Sequence, residues 1–149
     1  MKHLFIKDEF NPKHQKLRQL INDPQHFEAT ITLAMELHDL MHQQYQDLVL
    51  QGKEPPMKTK KMKTIAYNLW HITRIEDLCV NLFISGRALV FDALWAKRIK
   101  TPFSDIGNGW SQEEIRAFST TISFEALLEY RKAVHDQTQA VLKVFSQMT

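Results

Sequence analysis

The chain has 149 residues, of which 44% are hydrophobic and 24% are charged, and 19 basic against 17 acidic side chains leave a formal charge of +2. This composition is typical of a globular protein, and the length is sufficient for one domain with its own core. We therefore predict a single domain over residues 1–149. So small a net charge argues against nucleic acid as a partner, since nucleic-acid-binding domains carry a marked basic excess.

Cysteine use and hydropathy bear on the compartment. Cys79 is the single cysteine, which excludes an internal disulfide framework and suits a reducing environment. The opening residues, MKHLFIKDEF, interrupt a short apolar patch with charge and lack the pattern of a secretory signal. No later stretch stays apolar for about 20 residues. We expect a cytoplasmic protein that does not bind membranes.

Apolar residues recur at helical spacing, and no segment alternates like a strand. Helix A is predicted over residues 24–51, because Asp23 can cap it, Pro24 suits the first helical position and Gly52 follows its last apolar residues. The lysine-rich segment 53–63 is predicted to be a solvated loop.

Helix B is predicted from Ile65 to Phe83, and Gly86 offers a left-handed stop after it. Residues 87–110 mix helical and turn-favouring types, and they allow a short helix within an irregular passage.

Two more helices complete the prediction. Ser111 and Glu114 form the S-x-x-E capping box of a short helix C, and Ser123 caps a long helix D over residues 124–145. The fold class is therefore all-α, a small helical bundle with a long connection between helices B and D.

Four histidines are candidate metal ligands. His38 and His42 lie one turn apart on helix A, so their imidazoles can face one ion. A pair at this spacing is also common by chance, and solvated or singly hydrogen-bonded histidines are the alternative. His71 on helix B and His135 on helix D would complete an open site suited to zinc, nickel or iron, with water or a thiolate at the remaining position.

The remaining polar residues of helix B fall on two faces. A helical wheel places Glu76 and Cys79 among apolar residues, so both are predicted to be buried. Arg74, Asp77 and Asn81 lie opposite, where we expect a solvated face or a contact with the passage after Gly86. Asp77 and Arg74 are the candidates for tying down that backbone, and for Asn81 we prefer the simpler interpretation, a solvated face or a contact with that passage.

Arg131 on helix D also lies on an apolar stripe. An unpaired internal charge costs several kcal/mol, so we predict that Arg131 and Glu76 meet as an ion pair or line one polar pocket. The pair can be purely structural, or it can be catalytic, with Glu76 orienting a metal ligand or acting as a general base.

Residues 65–83, IAYNLWHITRIEDLCVNLF, resemble a helix of the DinB-like family of four-helix-bundle metalloproteins, in a branch with a WHI-x-R-IED pattern. The likeness covers most of the chain. It includes ELHDLMH in helix A, DIGNGWSQEEI around the start of helix C and YRKAVHDQT in helix D.

The resemblance implies a bundle, often homodimeric, that holds a divalent ion with three histidines, in a group that includes thiol-dependent transferases and a maleylpyruvate isomerase. The usual ligands are one histidine from the second helix and a His-x-x-x-His pair from the last. His71 matches the first, whereas the pair here reads Arg131 and His135. Either His38 and His42 supply the missing ligands, which we favour, or the pocket has lost its metal.

Two functional hypotheses follow. The first is a metal-dependent enzyme, such as a transferase that acts on a small molecule and activates a low-molecular-weight thiol, with Glu76 and Arg131 as catalytic residues. The second is a metal-free, dimeric bundle that binds a small ligand or a protein, in which the same two residues set the register of the helices.

Overall fold

The computed structural model describes residues 7–21, 24–50 and 63–148. All regular structure in these ranges is helical, which confirms the all-α class. The helices are α1 (Lys7–Leu20), α2 (Phe27–Leu50), α3 (Ile65–Glu76), α4 (Ala93–Ile99), α5 (Gln112–Thr121) and α6 (Phe124–Ser146). A short 3₁₀ turn, Pro24–His26, precedes α2, and a π-helical segment, Asp77–Ile84, continues α3.

The predicted helices A to D correspond to α2, α3 with its π-helical continuation, α5 and α6. The proposed cap Asp23, the stop Gly52 and nearly all of the predicted loop 53–63 lie outside the described residues. Helix α1 was not predicted, because its first described turns carry more charge than apolar surface and Pro12 lies inside it.

Local caps explain where three of the helices begin. The Thr64 hydroxyl accepts from the Tyr67 amide at 3.0 Å and so caps α3. Asp92 caps α4 in the same way through the Trp95 amide. At α5 the predicted capping box is present in both directions between Ser111 and Glu114.

The chain divides into two compact units, one of residues 1–51 with 139–149 and one of residues 52–138. In the first unit α1 packs against α2, and Leu33, Leu37 and Leu40 are buried along one stripe of α2. In the second unit α3 packs against α5. The core of this unit is largely aromatic and contains Tyr67, Trp70, Trp110, Phe118 and Tyr130.

Among the described residues, no helix combines the length and the hydropathy that crossing a membrane requires.

Candidate functional site

Side chains on one face of α3 bind the main chain of a short segment in the connection that follows. Residues 67, 70, 71 and 74 lie at helical spacing, so their side chains project on the same side of the helix. Each donates a hydrogen bond to a different carbonyl of the four consecutive residues 104–107. The bonds run from Arg74 Nη2 to Ser104 O (3.0 Å), Trp70 Nε1 to Asp105 O (3.1 Å), His71 Nδ1 to Ile106 O (2.7 Å) and Tyr67 Oη to Gly107 O (2.9 Å).

The held segment is also shaped from within. The Asp105 carboxylate accepts from the Gly107 amide at 2.7 Å and from Trp110 Nε1 at 2.9 Å. Gly107 has φ +85°, and a Cβ placed there would lie 3.1 Å from the Tyr67 ring. Glycine is therefore required both for the backbone conformation and for the close approach to α3.

Asp77, at the start of the π-helical segment, holds a second part of the connection. Its fully buried carboxylate accepts from the main-chain amides of Val90 and Phe91, both at 2.8 Å. It also accepts from Asn81 Nδ2 at 2.9 Å and from the Tyr130 hydroxyl at 2.8 Å. This confirms the prediction that Asp77 and Arg74 tie down the backbone of residues 87–110.

Asn81 is not on a solvated face, and the other predicted alternative, a contact with the passage after Gly86, is the one observed. Its side chain is fully buried against Asp77, and its carbonyl accepts from the Arg87 amide at 2.7 Å. Since the chain turns back immediately after Gly86, the returning backbone covers this side of the helix and excludes water from it.

Tyr130 links the Asp77 cluster to α6. The pKa of the Tyr130 hydroxyl is raised above its ordinary value of 10.0, mainly by burial and to a smaller extent by the negative charge of Asp77. Arg74 lowers this pKa, but its effect is the smaller one. The hydroxyl therefore remains a donor to Asp77 at neutral pH. Around it, Trp70, Phe91 and Trp95 pack with ring centroids 5.5 to 6.3 Å from the Tyr130 ring.

The predicted ion pair between Glu76 and Arg131 is confirmed. Arg131 Nη1 donates to Glu76 Oε2, and the Thr138 hydroxyl donates to Glu76 Oε1 at 2.7 Å. The exposed fraction of the side chain is 2% for Arg131 and 16% for Glu76. Both carboxylate oxygens of Glu76 therefore accept hydrogen bonds from α6. This arrangement is typical of a structural ion pair, whereas a general base needs an oxygen that can accept a proton from the substrate.

The candidate histidines differ in their hydrogen bonds. His71 donates through Nδ1 to a carbonyl, which places the lone pair of a neutral ring on Nε2. His38 Nδ1 lies 2.9 Å from Gln139 Nε2, an amide nitrogen that also faces the Met35 carbonyl. Because the Gln139 Nε2 nitrogen can only donate, His38 Nδ1 accepts this hydrogen bond, and the proton of a neutral His38 ring lies on Nε2.

His42 and His135 are both buried, at 7% and 8% exposure. Within the part of the chain that the structure describes, no three His, Cys, Asp or Glu side chains are grouped so as to hold a metal ion. His71 has the Nδ1 hydrogen bond to a carbonyl that commonly orients a metal-ligating imidazole.

Cys79 is exposed, and the prediction that it points into the core was wrong. Leu82 and Phe83, at the end of the predicted helix B, are also exposed, at 44% and 71%. The cause is the change of helix type at Asp77, since i→i+5 hydrogen bonding adds residues to each turn and shifts later side chains away from the faces of an α-helix.

The first unit contributes two open clefts. One, of about 410 Å³, lies between α1 and α2 and is lined by residues that include Lys16, Leu33 and Glu36. The other, of about 380 Å³, shares Glu36 and adds Asp39 and Gln139. Their volumes fall in the range of small-molecule sites, about 300–1,000 Å³.

Sequence reasoning did not identify Tyr67, Trp70 or Tyr130 as parts of these clusters. A usable signal was present, because four side chains that can all donate hydrogen bonds recur at i, i+3, i+4 and i+7, namely Tyr67, Trp70, His71 and Arg74.

No family model matches the chain, and comparison with curated proteins and with solved structures likewise finds no match.

Proposed function

We propose that this protein is a four-helix-bundle protein of the DinB-like type that acts in the cytoplasm as a homodimeric protein-binding module. The observation that carries the proposal is a run of three consecutive large apolar residues at the end of the π-helical segment, Leu82, Phe83 and Ile84, which are 44%, 71% and 58% exposed. Exposed apolar groups that adjoin one another favour a protein contact, whereas single exposed ones are ordinary.

The base of this run is held in place from the inside. Asn81, the residue before it, is buried against Asp77, and the Ser85 hydroxyl after it donates to the carbonyls of Val80 and Asn81 at 2.9 and 2.8 Å. The run is therefore presented on a fixed backbone, which lowers the entropy lost when a partner binds.

A second copy of the chain is the partner that we propose. In a two-fold dimer the same surface meets itself, so the apolar run of one copy would be covered by that of the other. The resemblance to the DinB-like family favours the same assembly. An exposed thiol at Cys79 is compatible with a reducing compartment.

The test is the mass of the protein in solution, measured by light scattering over a range of concentrations. We expect a dimer for the wild type and a monomer for Phe83→Ser, because removing the most exposed of the three side chains opens the centre of the contact. Met148→Ser is the matched control, since Met148 is also largely exposed, at 73%, but lies outside the run. A monomeric wild type, or a Phe83→Ser variant that remains dimeric, contradicts the proposal.

The second candidate function is the metal-dependent enzyme, with zinc, nickel or iron as cofactor and a thiol as one substrate. The observation that favours it is the bond from His71 Nδ1 to the Ile106 carbonyl, which leaves Nε2 as the coordinating atom. His38, His42 and His135 remain the proposed further ligands.

Elemental analysis of untagged protein, purified without chelator, tests this candidate. We expect about one equivalent of metal for the wild type and for His14→Ala, a control that removes an exposed histidine, and loss of most of the metal in His71→Ala. Metal content that is negligible in the wild type, or equal in all three proteins, removes the candidate and leaves the binding module unaffected.

A further inference from the structure

The outward surface of α4 combines exposed apolar and basic groups. Trp95 and Ile99 anchor this seven-residue helix, since Trp95 packs against Tyr130 and Ile99 is fully buried. Leu94, which is 63% exposed, and the exposed Lys97 lie one turn apart on its outer side.

Lys100 closes α4 in the left-handed conformation, with φ 60° and ψ 36°. It is the one non-glycine residue with positive φ in the described ranges. Glycine usually occupies this position at the end of a helix because a Cβ is unfavourable there. A lysine here keeps a cation at the surface at the expense of local stability, and such a residue points to a function of its side chain.

The charged side chains of α4 and of the residue that follows it are all basic. Residues 93–100, ALWAKRIK, contain three cations and no acidic residue. Arg98 stacks over the Trp95 ring at 4.4 Å and pairs with Glu129. Lys97 and Lys100 form no ion pair with a residue that the structure describes.

We propose that Leu94, Lys97 and Lys100 form a docking surface for an acidic segment of another protein, in which an apolar side chain covers Leu94 and carboxylates meet the two lysines. A second copy is a poor occupant, because a two-fold contact would bring like charges together. An anionic membrane is a poor occupant as well, since clusters of about 4–8 cations are usual for such surfaces. This surface shares no residue with the run 82–84, and the proposal does not depend on the dimer.

The test uses a labelled synthetic peptide with leucines on one helical face and glutamates along both edges, and its binding is measured by fluorescence anisotropy. We expect saturable binding that weakens as salt is added. Lys97→Glu should weaken it about tenfold or more, through lost attraction and new repulsion. The control Arg116→Glu reverses an exposed charge on α5 and should change the affinity less than about twofold.

The variant Lys100→Gly distinguishes a role of the Lys100 side chain in binding from a role in stability. Glycine relieves the left-handed backbone, so the melting temperature should rise, while loss of the cation should weaken peptide binding severalfold. Phe83→Ser should bind the peptide like the wild type, because the two proposed surfaces share no residue. The proposal is overturned if the wild type does not bind the peptide. It is also overturned if Lys97→Glu and Lys100→Gly both bind the peptide as tightly as the wild type, or if a peptide with glutamine in place of glutamate binds as tightly as the acidic one.

Discussion

Two sides of helix α3 use polar side chains in different ways. On one side, Tyr67, Trp70, His71, Arg74 and Asp77 bond to the main chain of the connection, at the amides of residues 90 and 91 and the carbonyls of residues 104–107. On another, Glu76 bonds to side chains of α6, Arg131 and Thr138.

The difference follows from what each side must cover. An irregular connection cannot satisfy its own amides and carbonyls, and leaving them unpaired in a protein interior costs about as much as a lost hydrogen bond for each group. A neighbouring helix has satisfied its own main chain, so contact with it is decided by side chains alone. The first side therefore specifies the path of a loop, and the second specifies the register of two helices.

The largest expected effect is at Asp77. Asp77→Ala leaves two main-chain amides, Asn81 and the Tyr130 hydroxyl without their acceptor and leaves the Arg74 charge, 3.6 Å away, without a counter-ion. We expect a loss of about 3–5 kcal/mol in the free energy of unfolding, measured by urea denaturation.

Hydrogen exchange shows whether the loss is local. In a variant that still folds, such as Asp77→Asn, the amides of Val90 and Phe91 should exchange faster, while those of α5 should change only by the global loss of stability. Unchanged exchange at these two amides would show that Asp77 does not hold the connection.

The next largest loss of stability is expected at the ion pair between Glu76 and Arg131. Glu76→Gln and Arg131→Met should each cost roughly 3 kcal/mol, since each orphans a partner that is largely buried. The double variant should cost distinctly less than the sum, because it leaves no unpaired charge. Additive losses in urea denaturation would mean that the two residues are not coupled.

The smallest effect is expected for a single neutral bond to the connection. Tyr67→Phe removes the donor to the Gly107 carbonyl and keeps the ring, so about 1 kcal/mol should be lost. Gly107→Ala is a useful comparison and should cost more, because it adds strain at φ +85° and crowds the Tyr67 ring. If Tyr67→Phe were the costlier change, the loop would depend on the hydrogen bond more than on its shape.

Much of the helical framework was predictable from the sequence. The capping box at Ser111, the cap at Asp92 and the stop at Gly86 depend on residues close together in the chain, and each acts on its own neighbours. The pairing of Glu76 with Arg131 was also predictable, because two charges on apolar stripes have few alternatives to meeting.

Other features were not accessible in this way. The exposure of Cys79 depends on the π-helical segment, which a wheel drawn with α-helical periodicity does not contain. The burial of Asn81 depends on the backbone that returns over it after Gly86. The carbonyl that accepts from His71 belongs to Ile106, 35 residues away, in a passage predicted to be largely irregular.

The sequence was enough to determine most of the helices, several of their ends and one ion pair. Helices follow from periodicity, helix ends follow from capping residues, and the ion pair follows from the cost of an isolated buried charge. The tertiary structure alone assigned His71, Arg74 and Asp77 to the main chain of a distant loop. Which backbone groups need a partner is known only when the path of that loop is known, and that path depends on contacts between residues far apart in the chain.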